Sequence, residues 1–384
     1  MLVTGGSEGL GLALARGLAR RGARRVTLVA RDPRKLSAAV ETLEDDADSE
    51  GPGKRRWAPR ATFEAVALPC DLTDDAATEA ALGALAASDD PPDALFLNAG
   101  RSTPGLLLDP SQTVEVHRRT LDLNVLAAVR CLRALGPGLV RRGHGGGHEG
   151  RGARAAAEPH PQHAQHVVLV GSAMSLVGFV GYGSYAPSKW AVRGLADTLR
   201  NEWSGVGKEE RGWSGAAGSR DDAAPAGTCP AADPTAPLLG RAPLSLSGLL
   251  LPRRRVGPGV SVSVAFPTDV ETPGYAAESI TKPPATRLIS LLGSKGSPDR
   301  AAEAILSGWE GGLYHLPSTD PLNDLVAQWG AGAAPRRWGA LCDAVLLAVP
   351  GSVVTRAFRG ICDWAVRRHP GVGVGAGAGA TAPR

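Results

Sequence analysis

The chain of 384 residues has no C-x-x-C pair among its five cysteines, no large charge of either sign and no uninterrupted apolar run of membrane-spanning length. Each absence excludes something. Cys70, Cys131, Cys229, Cys342 and Cys362 are odd in number and scattered, so neither a disulfide framework nor a paired-thiolate motif is supported, and they read as reduced thiols of a cytosolic setting. A formal charge of +4, from 42 basic and 38 acidic residues, is small for this length, and the basic residues form no stripe, so no nucleic-acid footprint is present. The apolar stretch 340–354, inside Trp338 to Pro370, is broken by Asp343 and Pro350 and falls short of the ~20 residues a spanning helix needs. Two readings of it stay open: burial at a bilayer interface, with Trp338, Trp364 and the flanking arginines at headgroup depth, or an ordinary core helix. No signal peptide is visible. Only Leu2 and Val3 precede Thr4, which is short for a central strand and leads us to expect that the natural sequence begins earlier.

With 43% hydrophobic residues the chain can bury a full doubly wound core. Leu2 to Thr4 reads as a strand end, and Gly5, Gly9 and Gly11 form a G-x-x-x-G-x-G turn. A helical period through Leu10, Leu12, Leu14, Ala15 and Leu18 follows. Such a turn brings backbone N–H groups and a helix start to a pyrophosphate. Further strands end at RRVTLVARD, at CDLTD with Asp71 and at DALFLNAG with Asn98 and Gly100, the carboxyl ends where open α/β sheets bind ligands. Tyr185 and Lys189, at i and i+4 in YAPSK, share one helix face downstream of a strand ending in Ser172. The spacing predicts that the Lys189 charge pulls the Tyr185 pKa down toward the working range of a proton donor. Arg31, about 20 residues past the glycine turn, suits a cofactor 2′-phosphate and so NADPH. Asp32 beside it reads as a helix cap ahead of Pro33.

These fragments, with LDLNVLA around Asn124, VLVGSA and FPTDVETPG, stand in the order of the short-chain dehydrogenase/reductase family, and over residues 1–310 the chain resembles that family. The resemblance implies an α/β fold with a doubly wound parallel sheet. It also implies roles: Tyr185 as proton donor, Ser172 on the substrate carbonyl, Lys189 on the nicotinamide ribose and Asn124 holding a relay water. NADPH would be held by Thr4, Gly5, Ser7, Gly9, Gly11, Arg31, Asp71, Asn98, Gly100, Tyr185, Lys189, Pro267 and Thr272. Residues 265–290 and TLVARDPRKL are similar to the family's sphingoid-ketone reductases. That implies reduction of a long-chain lipid ketone, 3-oxosphinganine to sphinganine, at the cytosolic face of the endoplasmic reticulum membrane, with 273–290 as a substrate lid. Another lipid carbonyl such as a steroid or retinoid, a cytoplasmic location, a homo-oligomer, and an NADPH-binding protein without turnover remain alternatives.

The expected organisation is a dehydrogenase domain over 1–330, a C-terminal apolar segment over 331–370 and a disordered tail over 371–384. Two stretches, 141–165 and 204–257, are Gly-, Arg- and His-rich or Ala-, Pro- and Ser-rich without period, and their composition predicts disordered insertions. His144, His148, His160, His163 and His166 read as part of a solvated loop, and no metal site is assigned. GLLLPRRR at 248–255 is open to two readings, a solvated loop or a membrane-surface contact.

Overall fold

A computed structural model describes residues 1–49, 63–143, 165–205, 259–291, 293, 295–329, 360, 361, 363, 364 and 368. The main sheet is built from β1 (Leu2–Thr4), β2 (Arg25–Ala30), β3 (Glu64–Pro69), β4 (Ala94–Leu97), β5 (Gln165–Val170) and β6 (Val260–Ala265). The two-residue strand β9 (His315–Leu316) completes it at one edge. Every pairing is parallel and the order is β3-β2-β1-β4-β5-β6-β9, so the direction of winding reverses between β1 and β4. A small parallel pair, β7 (Asp269–Val270) and β8 (Lys295–Gly296), stands apart.

Side chains of period two in β5 divide the core. Val167 and Leu169 face a cluster with Leu82 of α3 (Asp75–Ala86), Cys131, Leu135 and Leu139 of α5 (Ala127–Gly143), and Val192, Ala196 and Leu199 of α6 (Tyr185–Gly205). Val168 and Val170 face the other side, packing with Leu14 and Leu18 of α1 (Gly9–Arg20), Leu36 and Leu43 of α2 (Pro33–Ser49), and Ile305, Leu306 and Trp309 of α9 (Pro298–Glu310). Burial on both faces accounts for the near-continuous apolar runs of these strands. The Phe96 and Trp309 rings meet edge to face at 5.4 Å.

β1 has only three residues, yet Leu2 and Val3 are fully buried, and it pairs with β2 on one side and β4 on the other. Asp32 caps α2 as expected, its Oδ1 accepting from the amides of Arg34 at 2.9 Å and Lys35 at 3.2 Å. α4 (Val114–Leu121) runs through a π-turn, Asp122–Leu126, into α5. The continuous helix 114–143 is long and apolar enough to cross a bilayer, but Cys131, Leu135 and Leu139 bury one face of it in the sheet core.

The boundaries of the expected insertions need correction. Residues 141–143 close α5, Gln165 opens β5 and 204–205 close α6, because the helical and strand ladders reach further than composition implies. His166, grouped with the loop histidines, is a buried β5 residue packed on Trp309 at 5.3 Å. The remainder of both stretches, 248–255, the apolar run 340–354 and the tail 371–384 lie outside the described residues. Of the cysteines, Cys70 and Cys131 are described; both are free and buried, and burial pushes the Cys131 thiol up to about 12.

Candidate active site

The carboxyl ends of β1, β2, β4, β5 and β6 open onto one cavity of about 960 Å³, which extends from Arg31 to α7 (Pro273–Thr281) and α8 (Pro284–Ser290). All the sequence-predicted site residues line it except Thr4, Gly11 and Asn124, which are placed behind its wall.

Those three build the wall. Thr4 Oγ1 accepts from the amides of Asn98 at 2.9 Å and Ala99 at 3.0 Å, and Asn98 Nδ2 donates to Thr4 O at 3.1 Å, which locks the end of β4 to the glycine turn. Gly5 takes a positive φ of 64° at the mouth of that turn. At Gly11 the backbones close so tightly that a Cβ would lie 2.0 Å from Gly5 O. The glycine turn and α1 can therefore close together, and the amino end of α1 faces the cavity, where its free N–H groups suit an anion. Asn124 sits in the π-turn, 2% exposed; Oδ1 accepts from the Arg101 amide at 2.7 Å, and Nδ2 donates to Arg101 O at 3.0 Å and Ser188 Oγ at 2.9 Å. Both side-chain amide hydrogens are thus committed within the protein, and of the side chain the second lone pair of Oδ1 is left for a relay water.

At the far end Arg31 is joined by two residues that sequence reasoning missed. Lys35 Nζ meets Glu8 Oε2 at 2.6 Å, and both side chains line the cavity. Lys35 lies in the first turn of α2, four residues after Arg31 in RDPRK, a nearness that was available as a signal. Burial opposes ionisation of Asp71, but the amide and hydroxyl of Thr73 that it accepts from, with Arg31 and Arg130 nearby, hold its carboxyl below the usual range.

Ser172 follows β5 by two residues and caps a 3₁₀ turn (Ala173–Ser175), its Oγ accepting from the Met174 amide at 3.2 Å. Its hydroxyl also lies close enough to the Tyr185 phenol to favour the phenolate. The expected lowering of the Tyr185 pKa is overturned. Burial and the charges of Glu278 and Asp269 raise it, and the Ser172 hydroxyl opposes them only in part. The Lys189 ammonium stands 5.7 Å from the Tyr185 ring centre and donates to Val170 O at 2.9 Å, while burial lowers its own pKa to about 8. Thr272, expected on the cofactor, accepts from the Tyr275 amide at 3.0 Å as the cap of α7, and its methyl fills the space a side chain at Gly9 would need. In the lid, α8 is anchored by Thr286 Oγ1 donating to Val180 O at 2.9 Å.

A dinucleotide cradle leading to a serine, a tyrosine and a lysine at one strand end defines a nicotinamide-dependent carbonyl reductase or alcohol dehydrogenase. The chain is similar to the short-chain dehydrogenase/reductase family, whose short chain dehydrogenase description matches residues 1–147. It is 25% identical over 337 residues to a 3-ketodihydrosphingosine reductase of Dictyostelium discoideum, covering 87% of this chain and 78% of that protein. A 3-ketodihydrosphingosine reductase of Cryptococcus neoformans is 28% identical over 325 residues, 83% of this chain and 71% of the relative. In fold the chain is similar to a short-chain dehydrogenase from Sphingobium yanoikuyae in complex with NADPH. The TM-score is 0.55 at 22% identity, covering 86% of this chain and 90% of the other.

Proposed function

We propose that this chain reduces a long-chain lipid ketone with NADPH, converting 3-oxosphinganine to sphinganine at the cytosolic face of the endoplasmic reticulum membrane. The observation that carries the reading is a single cavity with Ser172, Tyr185 and Lys189 together on its wall, a dinucleotide cradle at one end and the helices α7 and α8 at the other. The relatives' activity supports the substrate. The residues present fit NADPH: Gly11 admits no side chain, α1 presents its amino end, and Arg31 and Lys35 offer cations for a 2′-phosphate.

When bound, NADPH supplies the hydride. Tyr185, kept protonated by burial and by the neighbouring carboxylates, delivers its proton to the ketone oxygen. Ser172 donates to the same oxygen and stabilises the charge that develops there. Lys189, fixed by Val170 O, holds positive charge beside the phenol, and Asn124 fixes the backbone at Arg101 and the Ser188 hydroxyl beneath it. Exposed apolar side chains on and after the lid helices, Ile280 at 76% and Leu291 at 74% exposed, support approach to a bilayer.

The test is a direct assay with NADPH and detergent-dispersed 3-oxosphinganine beside steroid and retinoid ketones, for the native chain and Tyr185→Phe. The native chain is expected to prefer 3-oxosphinganine. The variant is expected to lose about 10²-fold or more in kcat while its NADPH affinity holds. Near-normal kcat in the variant removes the assignment of Tyr185, and a preference for a steroid or retinoid moves the substrate to the alternative reading.

A further inference from the structure

The cavity has a second polar wall that proton transfer does not use. Glu278 of α7, with its side chain 14% exposed, accepts from the Tyr182 hydroxyl through Oε1 at 2.6 Å, and the same oxygen lies 3.3 Å from Lys282 Nζ one helical turn on. Lys282 is itself 4% exposed, and its ammonium stands 4.0 Å from the centre of the Tyr275 ring. Exposed Lys295 stands 5.6 Å from the same ring, and the Tyr275 hydroxyl donates to Asp269 Oδ2 at 2.9 Å. Tyr182 is buried beside the proton donor, its ring 5.9 Å from that of Tyr185. The Tyr182 hydroxyl bond and the Lys282 ion pair therefore hold the Glu278 carboxylate on the wall that adjoins Tyr185. Both contacts fall on Oε1, and among the described residues Oε2 accepts no hydrogen bond.

Carboxylates in this place work against the reduction of a neutral ketone. They add negative charge where the carbonyl oxygen itself becomes negative, and they raise the Tyr185 pKa. A cationic group on the carbon next to the carbonyl reverses the sign: it pairs with the carboxylate and lies beside the developing alkoxide. We propose that Glu278 is a specificity-determining residue that binds the ammonium of a 2-amino ketone through Oε2, with Asp269 as the adjoining anion, and so selects amino ketones over neutral ketones of equal length. This inference rests on the reductase reading above and deepens it from a lipid ketone to one cationic beside its carbonyl. Tyr182 and Lys282 are positioning residues for Glu278.

The experiment compares kcat/KM for 3-oxosphinganine and for its analogue with hydrogen in place of the 2-amino group, using the full chain, NADPH and detergent. The native chain is expected to favour the amino ketone by about 10- to 100-fold, the range of one charge-assisted contact. Glu278→Gln keeps an oxygen that accepts from Tyr182 but carries no charge. It is expected to lose that preference through a fall on the amino ketone and a smaller rise on the neutral analogue, whose reduction the charge opposed, with NADPH affinity unchanged. Equal falls on both substrates make Glu278 a latch of the lid and overturn the inference, as does a preference that survives the substitution. The native ratio needs no variant: equal use of both ketones overturns the inference and leaves the reductase reading standing. Reduction of neither, with NADPH bound, overturns both.

Discussion

At the scale of single residues, Lys189 occupies a place that folding alone opposes. Its ammonium is buried at 4% exposure, and burial moves its pKa from 10.5 to about 8. The folded state therefore releases this proton more readily than the unfolded chain, so between those two values stability rises with pH, and below pH 8 the whole burial cost is felt. That cost is on the order of 3 kcal/mol, offset by about 1 kcal/mol from the bond to Val170 O. Lys189→Met is expected to raise the melting temperature at pH 7, with the gain shrinking toward pH 10, while reduction is lost; thermal unfolding at the two pH values checks it. Arg31 is the residue for cofactor choice. Arg31→Ala is expected to weaken NADPH binding about 10- to 100-fold and NADH binding little, as read by titration of each cofactor; equal losses would place the phosphate on Lys35.

Glu278 shows where sequence reading ends at this scale. Tyr185, Lys189 and Asp32 were legible because short-range spacing fixes their neighbours, and Ser172 only through its place in the order of motifs. Glu278 reaches Tyr182 across 96 residues of chain, and nothing local marks that contact. The direction of the Tyr185 shift was misread for the same reason: spacing revealed the nearby lysine but neither the burial nor the carboxylates of Glu278 on α7 and Asp269 on β7.

At the scale of elements, the glycine turn and α1 were legible as one unit, since only glycine satisfies both the positive φ and the close approach. Gly11→Ala is expected to abolish NADPH binding and to lower the melting temperature, because a methyl group there meets the Gly5 carbonyl at 2.0 Å. Titration and thermal unfolding of the variant check this, and retained binding would move the cradle elsewhere. The π-turn was not legible. LDLNVLA has an unbroken helical composition, and the wide turn is visible only in how Asn124 reaches Arg101 and Ser188. Arg130 braces that turn, with Nη1 donating to Asp122 Oδ1 at 2.8 Å and to Leu72 O at 3.1 Å.

At the scale of the whole molecule, the doubly wound order was legible from strand and helix alternation, and the short edge strand β9 was not, since two residues carry no period. Within the described residues the chain after β9 still belongs to the core. Ala327 of α10 (Pro321–Trp329) is 3% exposed, and Asn323 Nδ2 donates to Phe266 O at 2.6 Å. Ending the chain after residue 332 therefore keeps α10 and removes the apolar run. The shortened protein is expected to bind NADPH and reduce a detergent-dispersed ketone while floating less with vesicles than the full chain. Loss of cofactor binding together with folding would assign the run to the core.

The strand order has a consequence for how the protein is made. From β1 outward through β4, β5, β6 and β9 the strands join in the order in which the ribosome delivers them. Five of the seven strands are complete by Val170, but β5 waits for all six of its partners in β6 until Val260 to Ala265 emerge, 95 residues later at Gln165 and Val260. During that interval, β5 is an unpaired edge with apolar side chains on both faces, the feature that invites strand addition by a neighbouring chain. The nascent protein is thus most prone to aggregation midway through its synthesis, and the delay that sets this risk is the spacing between β5 and β6 along the chain.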